Sequence, residues 1–281
     1  GLAAVQPDRH IAQTTGGGEI QYDALVVASG ARVKAALPGA VTFTGQSDIG
    51  AVRQILEEAE SGAAKRIAFA APGGVAWVLP LYELALMTAN RLDQRGVKGV
   101  ELMLVTPEDS PLVMFGARAS DAVAALLEER GIGVHAGRHP AAVEDGELLL
   151  VPGERMEVDR VIALPALEGP RLPGLPHDSE GFIATDRHCR VEGLEDVYAA
   201  GDITSFPVKQ GGLAAQQADV VAESIAARAG AEVTPKPFRP VLLPRRAARA
   251  RGRDPSRHGR AFGGGGPHVR AWEVARGGVT C

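Results

Sequence analysis

The sequence predicts an α/β fold around a mostly parallel sheet, and three observations predict it. Apolar runs of strand length alternate with amphipathic stretches of helix length from about residue 48 to residue 166. Two further apolar runs, 24–28 and 197–200, bracket that alternation, and both end in small residues. The composition, with 35 glycines and only 4% aromatic residues, favours close backbone packing and tight turns over a bulky aromatic core.

Gly1 to His10 reads as a strand end and a turn, and HIAQTTGGGEIQYDALVVASGA reads as a hairpin leading into a buried strand, 24–28. Val52, Ile55, Leu56 and Ala59 recur at helical spacing within 48–61, with Asp48 placed to cap that helix. RIAFAA follows as a short buried strand. LPLYELALMTANRLDQRG is a helix with Pro80 in its first turn and Gly96 as its stop. VELMLVT is a strand, ASDAVAALLEERG a helix closed by Gly131, and IGVHAG, ELLLV and RVIALPA are further strands. From Pro170 the pattern loosens through PRLPGLPHDSEG, as at a domain crossover. GFIATDRHCRVEGLEDVYAAGD then supplies two short extended segments and a buried strand. A helix of small residues runs from about Gly212 to Arg228, stopped by Gly230.

A net charge of −4 makes no general case for nucleic acid, and no apolar run reaches transmembrane length. The two cysteines, Cys189 and Cys281, form no C-x-x-C, and the seven histidines show no ligand spacing, so no metal is assigned. His135 and His139 flank a Gly-Arg turn and read as surface residues. A reducing cytoplasm is the default compartment. Residues 243–281 differ from the rest. Between Pro244 and Cys281 lie nine arginines, no lysine and only two acidic residues, with a Gly263–Gly266 run. This reads as a disordered Arg/Gly-rich tail, produced by a shifted reading frame or else evolved to bind an anionic partner.

Two strand ends carry the chemistry. YDALVVASGA (Tyr22 to Ala31) and VYAAGD (Val197 to Asp202) leave backbone bare at the carboxyl end of a strand, where a bulky cofactor can approach. Separated by a complete α/β unit, they resemble the T-x-x-Y-D-x-L-V-x-A-[ST]-G and A-x-G-D motifs of the pyridine nucleotide–disulfide oxidoreductase superfamily. The resemblance covers roughly residues 1–242, and KQGGLAAQQA resembles the quinone-proximal segment of type II NADH dehydrogenases and sulfide:quinone oxidoreductases. It implies two Rossmann-like dinucleotide-binding domains: an FAD domain in two pieces, 1–46 and 170–242, and an NAD(P)-binding-like domain inserted at 47–169. Asp202 matches the aspartate that bonds a ribityl hydroxyl of FAD. Ser29, Gly30 and Gly201 would line the bare strand ends. Gly211, Gly212 and Leu213 would present helix N-terminal amides to the flavin edge that becomes negative on reduction, and Lys209 would add a formal charge there. Lys209 and Gln210 are the weak catalytic candidates, and Gln216 and Gln217 the further quinone-side candidates.

The inserted domain departs from the family pattern. Glu83-Leu84-Ala85 match the expected helix, but Gly73 and Gly74 come too early. Trp77, Leu79, Pro80 and Leu81 occupy a stretch where a pyrophosphate needs glycine. Thr106-Pro107 stands where an acidic ribose anchor is wanted, with Glu108 slightly late. NAD(P) binding is therefore expected to be degraded. Cys189 has no thiol partner in its turn, which argues against thiolate chemistry. The resemblance also implies that the amino-terminal FAD strand and the usual carboxyl-terminal elements, including any membrane anchor, lie outside this chain, which is expected to be an inactive fragment. The expected function is that of an FAD-dependent oxidoreductase, with a small-molecule electron donor, a quinone-like acceptor and peripheral membrane association of the full-length protein. The alternatives are an NAD(P)H-dependent ferredoxin- or disulfide-type flavin reductase and a non-catalytic nucleotide-binding protein.

Overall fold

The computed structural model describes residues 1–75 and 77–242. The tail reading of 243–281 lies outside the described residues. Strands β1 (Leu2–Gln6), β2 (Ile11–Thr14) and β3 (Glu19–Gln21) form an antiparallel meander. The β2–β3 turn is closed by Gly17 at φ +81, a conformation glycine adopts without steric cost. β4 (Leu25–Val27) follows, then β5 (Arg32–Lys34), β6 (Val41–Thr42) and α1 (Ile49–Glu60). Asp48 stands at the α1 N-cap, but its carboxylate does not cap the helix. It accepts the backbone N–H of Thr44 at 2.7 Å and the Thr44 hydroxyl.

The central layer alternates as expected: β7 (Arg66–Ala70), α2 (Leu79–Gln94), β8 (Glu101–Val105), α3 (Ala117–Glu129) and β9 (Ile132–His135). An antiparallel excursion comes next, β10 (His139–Glu144), β11 (Glu147–Val151) and β12 (Glu154–Glu157), before β13 (Arg160–Ala163). The five-stranded sheet is parallel throughout, in the order β6-β13-β7-β8-β9. It therefore takes in Val41 and Thr42, on the amino side of the division at residue 47. Alternation along β7 sorts the two faces. Ile67 and Phe69 pack with Val52 and Ile55 of α1 and Leu81, Tyr82 and Ala85 of α2. Ala68 and Ala70 face Leu148 and Leu150 of β11. Small residues on the second face let the β10–β12 strands come close, so that face carries strands where the first carries helices.

β14 (Ala166–Glu168) pairs antiparallel with β5, so the chain's exit from β4 and its return from β13 lie side by side. Residues 182–191 form no strand of their own. They contribute isolated bridges, Ile183 with Thr204, Thr185 with Val191 and Arg190 with Tyr198. β15 (Val197–Ala199) is buried along its whole length and pairs parallel with β4. β4 is not the fully buried strand expected of its sequence: Val27 is buried but Val26 is 39% exposed. α4 (Gly211–Arg228) closes the structure, packing Val220 and Val221 onto Tyr198 and Ala200.

Candidate functional site

Parallel pairing sets Leu25 against Val197, Val26 against Tyr198 and Val27 against Ala199. Ser29 and Gly30 thus follow one strand end, and Gly201 and Asp202 its neighbour. Gly30 has φ +74, and nothing lies within 4 Å of where a Cβ would stand. Gly201 has φ +79 and starts a single 3-10 turn, Gly201–Ile203, that carries Asp202. Carboxyl ends of adjacent parallel strands are where α/β sheets hold ligands, because backbone can be approached there.

The Asp202 carboxylate is half-buried and takes no hydrogen bond from the described residues. Burial raises its pKa, and the nearby Lys209 ammonium opposes that rise. Lys209 is not the solvated loop lysine its position suggests. Its Nζ donates to the Thr204 carbonyl and lies 3.8 Å from the centre of the Phe182 ring. Burial lowers the Lys209 pKa, opposed by Asp202, Asp178 and Glu180. A half-buried aspartate and a half-buried lysine therefore lie within electrostatic reach of each other, with part of their hydration already removed. That arrangement fits a ligand bearing both a hydroxyl donor and a region of negative charge.

Gly211 and Gly212 are exposed at the first turn of α4, where N–H groups have no intrahelical acceptor. Leu213 does not join them. It is buried, and its N–H donates to the Gln210 side chain at 2.9 Å. Gln210 Oε1 thereby caps the helix, since an amide oxygen at the N-cap satisfies an otherwise orphan donor. The remaining glutamines are also committed. Gln216 exchanges two hydrogen bonds with the backbone of Val241, at 2.9 and 3.0 Å. Gln217 is buried and accepts the Gly201 N–H at 2.7 Å. Phe182 lies in the short extended segment GFIATD, where nothing local marks it as the platform of a lysine from a separate loop. Thr204 had a local signal, as a polar residue flanking the A-x-G-D turn, whereas nothing local linked Gln217 to Gly201.

In the five-stranded sheet, the turn after β7 carries Gly74 at φ +79, and α2 begins without a side-chain cap. Leu81 is buried in the core and does not crowd this turn, so the sequence reading is corrected there. Trp77 stands edge-on to Phe115, with 5.8 Å between ring centres. Pro80 has no N–H, and the Leu81 N–H is taken by the Val78 carbonyl at 2.9 Å, so few amides remain for a phosphate. At the end of β8, Glu108 accepts the buried Tyr82 hydroxyl at 2.6 Å and the Thr106 hydroxyl at 3.1 Å. Cys189 is 1% exposed, and burial pushes its thiol up to about 11. Among the described residues, no helix is long and apolar enough to cross a membrane.

This architecture is shared with known proteins. The Aquifex aeolicus sulfide:quinone oxidoreductase superposes with a TM-score of 0.74 at 21% identity, over 82% of this chain and 60% of that one. An NAD-dependent persulfide reductase from A. fulgidus gives a TM-score of 0.57 at 21% identity, over 83% of this chain and 45% of that one. In sequence, an NADH dehydrogenase-like protein of Mycobacterium tuberculosis is 31% identical over 217 residues, 73% of this chain and 54% of that protein. An oxidoreductase of Pestalotiopsis fici is 30% identical over 206 residues, 68% of this chain and 50% of that protein. The chain spans about half the length of these sequence relatives. Residues 3–220 match the profile of the pyridine nucleotide-disulphide oxidoreductases, and the paired strand ends, the Asp202 turn and the parallel sheet all fall inside that span, so the chain belongs to this family of flavin-dependent oxidoreductases.

Proposed function

We propose that the strand-end site binds FAD and that the protein oxidises a small-molecule donor at the expense of a quinone-like acceptor. The observation that carries this reading is the Asp202 carboxylate, half-buried, without a hydrogen-bond partner among the described residues and within electrostatic reach of Lys209. A desolvated acceptor of this kind is costly unless a ligand satisfies it. When bound, FAD supplies two-electron chemistry at its isoalloxazine ring. Asp202 would accept a ribityl hydroxyl. Ser29, Gly30 and Gly201 would allow the approach to backbone, and Gly211 and Gly212 would turn their amides and the positive end of α4 toward the electron-rich edge. Lys209 would hold a positive charge nearby without spending it on an ion pair.

Residues 47–169 would serve as an NAD(P)-binding-like domain with a weak nicotinamide site, inserted between two FAD-domain pieces at 1–46 and 170–242. Gln216 and Gln217 spend both ends of their amides inside the protein, and Gln210 spends its amide oxygen. Support for a quinone-like acceptor therefore comes from the segment's resemblance, not from a free glutamine, and support for a dehydrogenase from the name of the mycobacterial relative. A disulfide-type reductase is disfavoured by the inert Cys189. Reconstitution tests the reading. The full-length protein that carries this chain, incubated with FAD and then gel-filtered, is expected to retain a flavin absorbance band, and this chain alone to retain little of it. Bleaching of that band by candidate donors, and its recovery with a soluble quinone, identify the two half-reactions. A full-length protein that emerges colourless refutes the FAD site.

A further inference from the structure

Three side-chain and backbone hydrogen bonds close a ring behind the Asp202 turn. The Gly201 N–H donates to Gln217 Oε1 at 2.7 Å. Gln217 Nε2 donates to Thr204 Oγ1 at 3.4 Å, and the Thr204 hydroxyl donates to the Gly201 carbonyl at 2.9 Å. The ring holds both polar backbone groups of Gly201, the residue before Asp202. It also holds Thr204, whose own carbonyl receives Lys209 Nζ. Gln217 and Thr204 are buried, at 3% and 1% exposure. A buried glutamine in a helix of otherwise small and apolar inward residues is expensive unless fully bonded, and both of its amide atoms are bonded here. Nothing else among the described residues ties α4 directly to Gly201 through a side-chain hydrogen bond.

We propose that Gln217 is the positioning residue of the site: it fixes the Gly201–Thr204 turn, and through that turn it sets where the Asp202 carboxylate and the Lys209 ammonium stand relative to each other. The consequence for flavin rests on the FAD reading above, whereas the consequence for Asp202 and Lys209 does not. Helix α4 thus has two tasks. Its first turn offers amides to the ligand, and its second holds the acidic turn still. A residue two turns from the ligand then controls the geometry of residues that touch it.

The test uses the full chain with Gln217→Met, which keeps length and volume but removes both bonds, and Gln217→Glu, which keeps an acceptor for Gly201. In flavin-free protein, followed by NMR, Gln217→Met is expected to speed amide exchange at Gly201. It should also move the Asp202 carboxyl and Lys209 ammonium titrations back toward their ordinary values, as the turn swings into water. Gln217→Glu is expected to restore slow exchange at Gly201. FAD retention in Gln217→Met is expected to fall by about tenfold or more, the effect of losing well-placed hydrogen bonds. Should Gln217→Met fail to fold, Thr204→Val cuts the same ring at the hydroxyl and must move both titrations in the same direction. Unchanged titration of Asp202 and Lys209 in a variant that is merely less stable would overturn the inference. A full-length protein that takes up no FAD sinks the flavin reading but leaves the two titrations to decide the role of Gln217.

Discussion

Ala200 donates its backbone N–H to the carbonyl of Val27 at 3.1 Å. This one bond, just past the last paired residues of β4 and β15, makes the two glycine-bearing strand ends neighbours. Gly30 and Asp202 are separated by most of the chain, yet they leave the same sheet edge together. On the proposed reading, a flavin held here would rely on the Asp202 carboxylate for hydroxyl recognition.

Asp202→Ala should therefore weaken FAD retention by about 1.5–3 kcal/mol, roughly 10- to 150-fold, the worth of a hydrogen bond to a charged group. Equilibrium dialysis followed by flavin fluorescence measures it. Unchanged occupancy would reduce Asp202 to a residue of the turn.

The same carboxylate is a burden on the empty protein. Its folded pKa is raised, so the folded state holds the proton more tightly than the unfolded chain. Stability from this group is present below its unfolded pKa and is lost as pH rises through the folded value. Asp202→Asn should raise the melting temperature of flavin-free protein at neutral pH, and the gain should shrink as pH falls into the carboxylate range. A gain that is independent of pH, or a loss at neutral pH, would contradict the assigned desolvation.

Nicotinamide binding should be weak, with NADH affinity on the order of 1 mM, near −4 kcal/mol, since Pro80 and the Val78–Leu81 bond remove helix amides from the phosphate turn. Glu108, already held by Tyr82 and Thr106, has one carboxylate oxygen committed. Micromolar binding of NADH by calorimetry would show that the turn after β7 grips phosphate in another way.

Cys189 should resist alkylation in the folded chain. With a thiol near 11 and 1% exposure, the thiolate fraction at pH 8 is about one in a thousand, and the sulfur is shielded as well. In a Cys281→Ser background, iodoacetamide should label Cys189 only after denaturation. Rapid labelling of native protein would return thiol chemistry to consideration.

The α/β class was legible because the alternation of apolar runs and helical spacing is local, and local spacing is what strand and helix periods impose. Gly30 and Gly201 were legible for the same reason, as bare ends of apolar strands. Leu213 was read wrongly, because whether a helix N-terminal amide is free depends on a side chain reaching back to it. Lys209 was named from the sequence as a charge near the flavin edge, but nothing nearby in sequence announces Phe182 as its platform.

The sequence alone determined the strand ends, the small-residue helix and the degraded glycine pattern after β7, since each is a property of consecutive residues. Only the tertiary structure decided which polar side chains face the site and which are spent holding it. Gln217 bonds Gly201 across sixteen positions, and Lys209 reaches Phe182 from a separate loop. Hydrogen bonds and burial depend on distance in space, and chain folding sets that distance independently of separation along the sequence.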